Sequence, residues 1–156
     1  MTQYDLFPGV YLMYNDFHME SYDSLFRTTE DMLCIDYCRQ GRMEYPAGLD
    51  TYSYVEAGDL KLDRRLEHQG RFTFPLSHYH GITILLDLDA ISPEMRKQME
   101  WYGVDLDVIR RYICTENRCC ILRSEPTIAH IFSELYFVPQ QIKGDYYKVK
   151  ALELLL

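Results

Sequence analysis

Tyr37-Cys38-Arg39-Gln40-Gly41-Arg42-Met43-Glu44-Tyr45, followed by Tyr52-Ser53-Tyr54-Val55-Glu56-Ala57-Gly58-Asp59-Leu60-Lys61-Leu62, reads as a hairpin turning at Gln40-Gly41 and then a tight corner at Gly58-Asp59. Side chains alternate across the two faces of such strands, and glycine supplies the positive φ that tight turns need. Repeated, this unit builds a small antiparallel barrel. A barrel can house an enzyme, a sensor or a scaffold, so the function has to come from the rest of the chain.

Upstream, Pro8-Gly9 breaks the chain ahead of two short aromatic strands, Val10 to Tyr14 and Phe17 to Tyr22. Leu33, Ile35 and Tyr37 alternate with Cys34, Asp36 and Cys38, which predicts a half-buried strand with one apolar and one mixed face. Downstream, Thr51 to Val55 is a strand, Leu60 and Leu62 share a face, and a polar stretch precedes a strand from His78 to Asp87. On that strand His78, His80, Ile82, Ile84 and Leu86 lie on one side, so its polar end is expected to face an interior.

The period then changes. Ser92-Pro93-Glu94 starts a helix that Gly103 closes, with Met95, Met99 and Tyr102 as its apolar stripe. Leu106, Ile109 and Ile113 mark a second helix, and Cys120 to Leu122 a final strand or extended link. Ser124-Glu125-Pro126 caps a third helix that carries Ile128, Ile131, Phe132 and Leu135 and stops by Pro139. A fourth begins near Asp145 and runs through Tyr147, Ala151, Leu152 and Leu155. The expected class is α+β, mainly β, in one domain over 1–156. It comprises a barrel over 6–90 with a short N-terminal arm, a helical insertion and final strand or link over 91–123, and a helix pair over 124–156. The last helix reaches Leu156 without a glycine cap or polar tail, so the chain is expected to belong to a longer protein.

Composition narrows the function. With 156 residues and 47% hydrophobic content, one core can bury roughly 70% of the unfolded surface. A net charge of −8 repels a phosphate backbone, so DNA contact is expected only through another domain. Five cysteines, Cys34, Cys38, Cys114, Cys119 and Cys120, with no leader pattern at the start, point to a reducing cytoplasm. No run approaches the ~18 apolar residues of a membrane span. Cys34 and Cys38 share a face but stand roughly 13 Å apart on an extended strand, too far to chelate one ion. Phosphate loops, nucleophile elbows and metalloprotease helices are all missing, and no enzyme is expected.

His78-Tyr79-His80 puts two imidazoles on one strand face, a spacing that metal-binding barrels use. They read as a pair of hydrogen-bonded histidines at a strand end, as polar lining of a ligand pocket, or as part of a metal-dependent cupin enzyme. The third ligand expected three or four residues on is absent, since positions 83 to 85 are Thr, Ile and Leu, so no metal or cofactor is assigned. Fourteen tyrosines and seven phenylalanines, many on predicted strands, suit a cavity with large apolar walls and hydroxyl tips.

Taken in order, Tyr37-x-x-x-Gly41, Gly58-Asp59-Leu60, His78-Tyr79-His80-Gly81-Ile82 and the two closing helices resemble the N-terminal effector domain of AraC-type transcriptional regulators. The resemblance implies a cupin-like jelly-roll barrel that binds a small effector, an antiparallel helix pair that forms a homodimer, and a DNA-binding helix-turn-helix domain beyond Leu156. It implies effector contacts from His18, Glu20, Tyr37, His78, Tyr79 and His80. The dimer contact would come from Ile128, Ile131, Phe132, Leu135, Tyr147, Ala151 and Leu155. By linkage, an effector in the barrel has to couple to the helices over 125–156 or to the N-terminal arm, Met1 to Pro8, with the arm expected to act as a lid.

Overall fold

A computed structural model describes residues 1–64, 67–113, 119–123 and 126–156. Cys114 and the expected Ser124 cap fall outside them. The strands are β1 (Thr2–Phe7), β2 (Val10–Phe17), β3 (Ser21–Arg27), β4 (Met32–Gly48), β5 (Thr51–Glu56), β6 (Leu60–Arg64), β7 (Glu67–Thr73), β8 (Tyr79–Asp87) and β9 (Cys120–Leu122). The helices are α1 (Pro93–Trp101), α2 (Leu106–Ile113), α3 (Pro126–Leu135) and α4 (Lys143–Leu155).

All strand pairs are antiparallel. One sheet runs β1-β2-β8-β4-β6-β9, and a second joins β3 to β7 and β5 to β4, with β4 and β7 paired between them. The result is an antiparallel barrel with helices against one outer face.

Gly41 does not turn a hairpin. Strand β4 continues through it for 17 residues, with a bulge between Cys38 and Gln40, and crosses from the first sheet into the second. Gly41 sits at φ +92, and a Cβ there would overlap the His78 carbonyl, so the bend needs glycine. The Gly58-Asp59 corner is present as expected. Gly58 has φ +93, the buried Asp59 carboxylate accepts the Glu56 N–H at 3.0 Å, and Gly58 N–H donates to the Cys38 carbonyl at 2.8 Å.

Several boundaries differ from the sequence reading. Val10 to Phe17 is one strand, because it pairs along its whole length with β8. The expected Phe17–Tyr22 strand gives way to β3 after a bend at 19–20. The N-terminal arm is strand β1, paired to β2 from Thr2 to Phe7, so it is an edge of the barrel. Strand β7 lies in what reads as a polar stretch. Its alternation is weak because Glu67, His68, Gln69 and Arg71 offer few apolar positions, and its partner β3 supplies the pairing.

The helix signals hold better. Ser92 Oγ accepts the Met95 N–H at 3.2 Å, Pro93 opens α1, and Gly103 follows it at φ +92. Met99 is buried, but Tyr102 is exposed at the helix end rather than part of the stripe. Asp105 caps α2 by accepting N–H bonds from Asp107 and Val108, both at 3.0 Å. α3 ends at Leu135, ahead of Pro139, and α4 starts two residues before Asp145.

The core sits on both sides of the first sheet. Toward the helices point Val10 and Leu12 of β2, Leu33 and Ile35 of β4, Leu60 of β6, and Ile82, Ile84 and Leu86 of β8. They meet Phe132, Leu135, Tyr147, Ala151 and Leu155. Each such aliphatic side chain contributes about 1.5–3 kcal/mol on burial. The opposite face, with Cys34, Asp36, Cys38, Lys61 and Thr83, is buried too, because it lines the barrel interior.

Candidate functional site

Three neighbouring strands each carry one polar residue between two apolar ones: Ile35-Asp36-Tyr37, Leu60-Lys61-Leu62 and Ile82-Thr83-Ile84. Register places them side by side, since Asp36 is opposite Lys61 on one flank and Thr83 on the other. All three are buried. Thr83 Oγ1 donates to Asp36 Oδ1 and accepts from Asn15 Nδ2 at 2.7 Å. Lys61 Nζ lies 3.5 Å from Asp36 Oδ2 and 2.6 Å from Asp63 Oδ2. Burying these charges is tolerable because they are paired and hydrogen-bonded.

Above this row lies a cavity of about 160 Å³, lined by Met1, Met13, Asn15, Phe17, Tyr22, Asp36, Met43, Phe72, Phe74, Tyr79 and Thr83. Its walls are aromatic. Phe17 stacks near Tyr79 at 6.2 Å between ring centres, and Phe74 lies 5.9 Å from Phe17. Its polar floor is the Asn15–Thr83–Asp36 chain. Met1 and Tyr22, both exposed, mark its mouth. Near the cavity wall, burial and the neighbouring Asp59 carboxylate push the Cys38 thiol up to about 12, so it stays protonated and unreactive. The volume is below the ~300 Å³ at the lower end of drug-sized sites. Chemically, the arrangement can hold a small molecule with an apolar body and one hydrogen-bonding end.

Of the six residues expected to contact an effector, Tyr79 lines this cavity. The others lie elsewhere. On β8 the face that carries His80 is the helix-covered exterior, and the face that carries Tyr79 and Thr83 is the interior. His78 precedes the strand, where its Nδ1 donates to the Leu76 carbonyl at 2.9 Å. Tyr37 points outward and stacks on Phe132 with ring centres 4.3 Å apart and planes 7° apart. His18 is exposed beside Asp16, and Glu20 is exposed while its carbonyl accepts the Phe74 N–H at 2.7 Å. The expectation that the polar end of this strand faces the interior is therefore corrected.

The helix stripe also lies differently. Ile131, Phe132, Leu135, Tyr147, Ala151 and Leu155 are buried against their own barrel, and Ile128 packs on the same cluster. The seam includes a hydroxyl relay, in which Tyr14 Oη donates to the Leu135 carbonyl at 2.5 Å and accepts from Tyr147 Oη at 2.8 Å. Burial holds the Tyr14 phenol far above its ordinary range. A dimer cannot use this stripe without opening the domain. The outer surface of the pair does expose Phe137, Ile142, Val149 and Leu156.

Asp36, Thr83, Asn15 and the inward phenylalanines escape a reading by hydrophobicity, which favours the more apolar face as the inside. A usable signal was present: a lone polar residue flanked by aliphatics on three separate strands.

No protein-family model matches the chain, and no curated protein is significantly similar to it. Solved structures are. An apo variant of ToxT from Vibrio cholerae matches with TM-score 0.55 and 13% identity, over 93% of this chain and 54% of that one. ToxT bound to (E)-4-(8-methylnaphthalen-1-yl)but-3-enoic acid matches with TM-score 0.53 and 13% identity, over 91% and 54%. Wild-type ToxT with an unsaturated fatty acid bound matches with TM-score 0.55 and 13% identity, over 92% and 52%. The present chain spans about half the length of those ToxT chains and shares their fold over that half.

Proposed function

We propose that this chain is the effector-sensing domain of an AraC-type transcriptional regulator, and that its barrel cavity receives a small amphipathic molecule. The observation that carries this reading is the double use of β8 and β4. Tyr79, Thr83 and Asp36 face the cavity, while their neighbours Ile82, Ile84 and Ile35 hold α3 and α4. A ligand that draws the inward residues together shifts the seat of the helices, provided that it binds one helix arrangement better than another. The outer face of the helices, with Val149 and Leu156, would meet a second copy, and a DNA-binding domain outside these residues would read out the change. Support for a ligand also comes from ToxT, which has been solved with an unsaturated fatty acid bound.

The effector here is of a different kind. Asp36 is the charged side chain among the described lining residues, so the polar end of the ligand is a hydrogen-bond donor, such as an amine, amide or alcohol, rather than a carboxylate. A thermal-shift panel of small aromatic and aliphatic amines, amides, alcohols and acids tests this. A donor-bearing ligand at 100 times its Kd adds about 2.7 kcal/mol, and Asp36→Asn should weaken it. Stabilisation by acids alone would overturn the ligand class, and silence across the panel would overturn the sensor.

The rival reading, a cupin enzyme using a metal held by His78 and His80 inside the barrel, fails on placement. Neither histidine lines the cavity.

A further inference from the structure

The same alternation that sends Phe17 and Tyr79 into the cavity sends their neighbours outward. Phe17 is opposite Tyr79 in the β2–β8 register, and Asp16 is opposite His80. His18 follows two residues after Asp16, just past the end of β2. His18 Nε2 stands 2.8 Å from Asp16 Oδ1, and His80 Nδ1 stands 3.4 Å from that same oxygen. The two imidazole rings meet edge-on at 5.1 Å. One donor atom from each of the three residues lies within 4.8 Å of the other two.

We infer that Asp16, His18 and His80 form an exterior binding site for a transition-metal dication such as zinc. Ligand atoms at ~2.0–2.1 Å from a tetrahedral ion stand about 3.3 Å from one another. The His80–Asp16 pair at 3.4 Å already matches this spacing, the His18–Asp16 pair at 2.8 Å has to open, and the two imidazoles have to close from no more than 4.8 Å. Asp16 and His18 are exposed and His80 is about two-thirds covered, which leaves the side chains free to make that adjustment and leaves a coordination position for water. Two imidazoles and one carboxylate suit zinc, copper or nickel. Calcium and magnesium instead take sets of oxygen ligands. The site is separate from the cavity, because its three side chains are on the other face of the strands. It ties the end of β2 to the start of β8, where the intervening Phe17 and Tyr79 form the aromatic wall.

The test titrates the chelator-stripped chain with Zn²⁺ by calorimetry and with Co²⁺ by absorption and by histidine-ring NMR. One equivalent should bind with micromolar or tighter Kd. Co²⁺ should broaden the His18 and His80 ring signals, and its spectrum should lack thiolate-to-metal charge transfer. His18→Ala and His80→Ala should each weaken binding at least tenfold, with unchanged circular dichroism. The inference is overturned by the absence of a saturable equivalent, or by full-affinity binding in the double variant, which would place the ion on the exposed thiols of Cys119 and Cys120. The ring-broadening measurement needs no variant, so a folding defect cannot leave the question open.

Discussion

The two faces of the first sheet divide the labour of the molecule. Outside, Ile82, Ile84, Leu86, Leu33 and Ile35 make a dry seam with α3 and α4, and its polar feature is the Tyr14 relay. Inside, the same strands present Tyr79, Thr83, Asp36, Cys38 and Lys61, a mixture of aromatic wall and paired charge. The more hydrophobic face is thus the exterior of the barrel. A barrel that must admit a polar ligand keeps donors and acceptors within, whereas a sheet that must hold helices needs only area. Apolar alternation therefore reports what a strand is covered by, and does not by itself identify the lumen.

Substitutions on each face should break this contrast in different ways. Phe132→Ala removes the ring stacked on Tyr37 and opens the seam, at a cost of about 3–5 kcal/mol, read by denaturant unfolding. Lys61→Met strikes the inner face at a comparable ~3–5 kcal/mol, because Asp36 and Asp63 lose their buried cation. Thr83→Val keeps shape but removes the hydroxyl between Asn15 and Asp36, costing about 1–3 kcal/mol and weakening any donor-bearing ligand.

Tyr14→Phe has the smallest expected effect, about 1 kcal/mol near neutrality. It also carries a pH signature. Burial raises the folded-state Tyr14 phenol above its ordinary value of 10.0, so the unfolded chain ionises first. The stabilisation is whole below that value and is lost as pH climbs beyond it. Melting temperature should fall above about pH 10, and the Phe variant should flatten part of that fall.

Local chemistry was legible in the sequence. The Gly58-Asp59 corner, the Ser92-Pro93 start of α1 and the periodic stripe from Ile128 to Leu155 all appear where expected, whereas the strand over 33–38, expected to be half-buried, is buried on both faces. Each depends on residues a few positions apart. What failed depends on partners far along the chain. The bend of β4 at Gly41 is enforced by the His78 carbonyl, β7 is a strand because β3 lies beside it, and the destination of the helix stripe is set by the barrel. Asp16 illustrates the limit. Nothing near His78-Tyr79-His80 marks it as their neighbour, and only the β2–β8 register brings it opposite His80.

Strand β4 has a kinetic consequence. It is bonded to β5, β6, β7 and β8, whereas β1 pairs with β2 and β3 pairs with β7. In hydrogen-exchange terms, amides along Leu33 to Cys38 bond alternately to one or the other of two flanking strands inside the barrel wall, so their exchange requires opening the centre of the sheet, close to global unfolding. Those of β1 and β3 can exchange by peeling from one neighbour. The slowest protons in the protein should therefore lie around Asp36, and the fastest strand protons on strands that pair with one neighbour, such as β1 and β3. The barrel would then breathe at its edges while the floor of its cavity stays fixed.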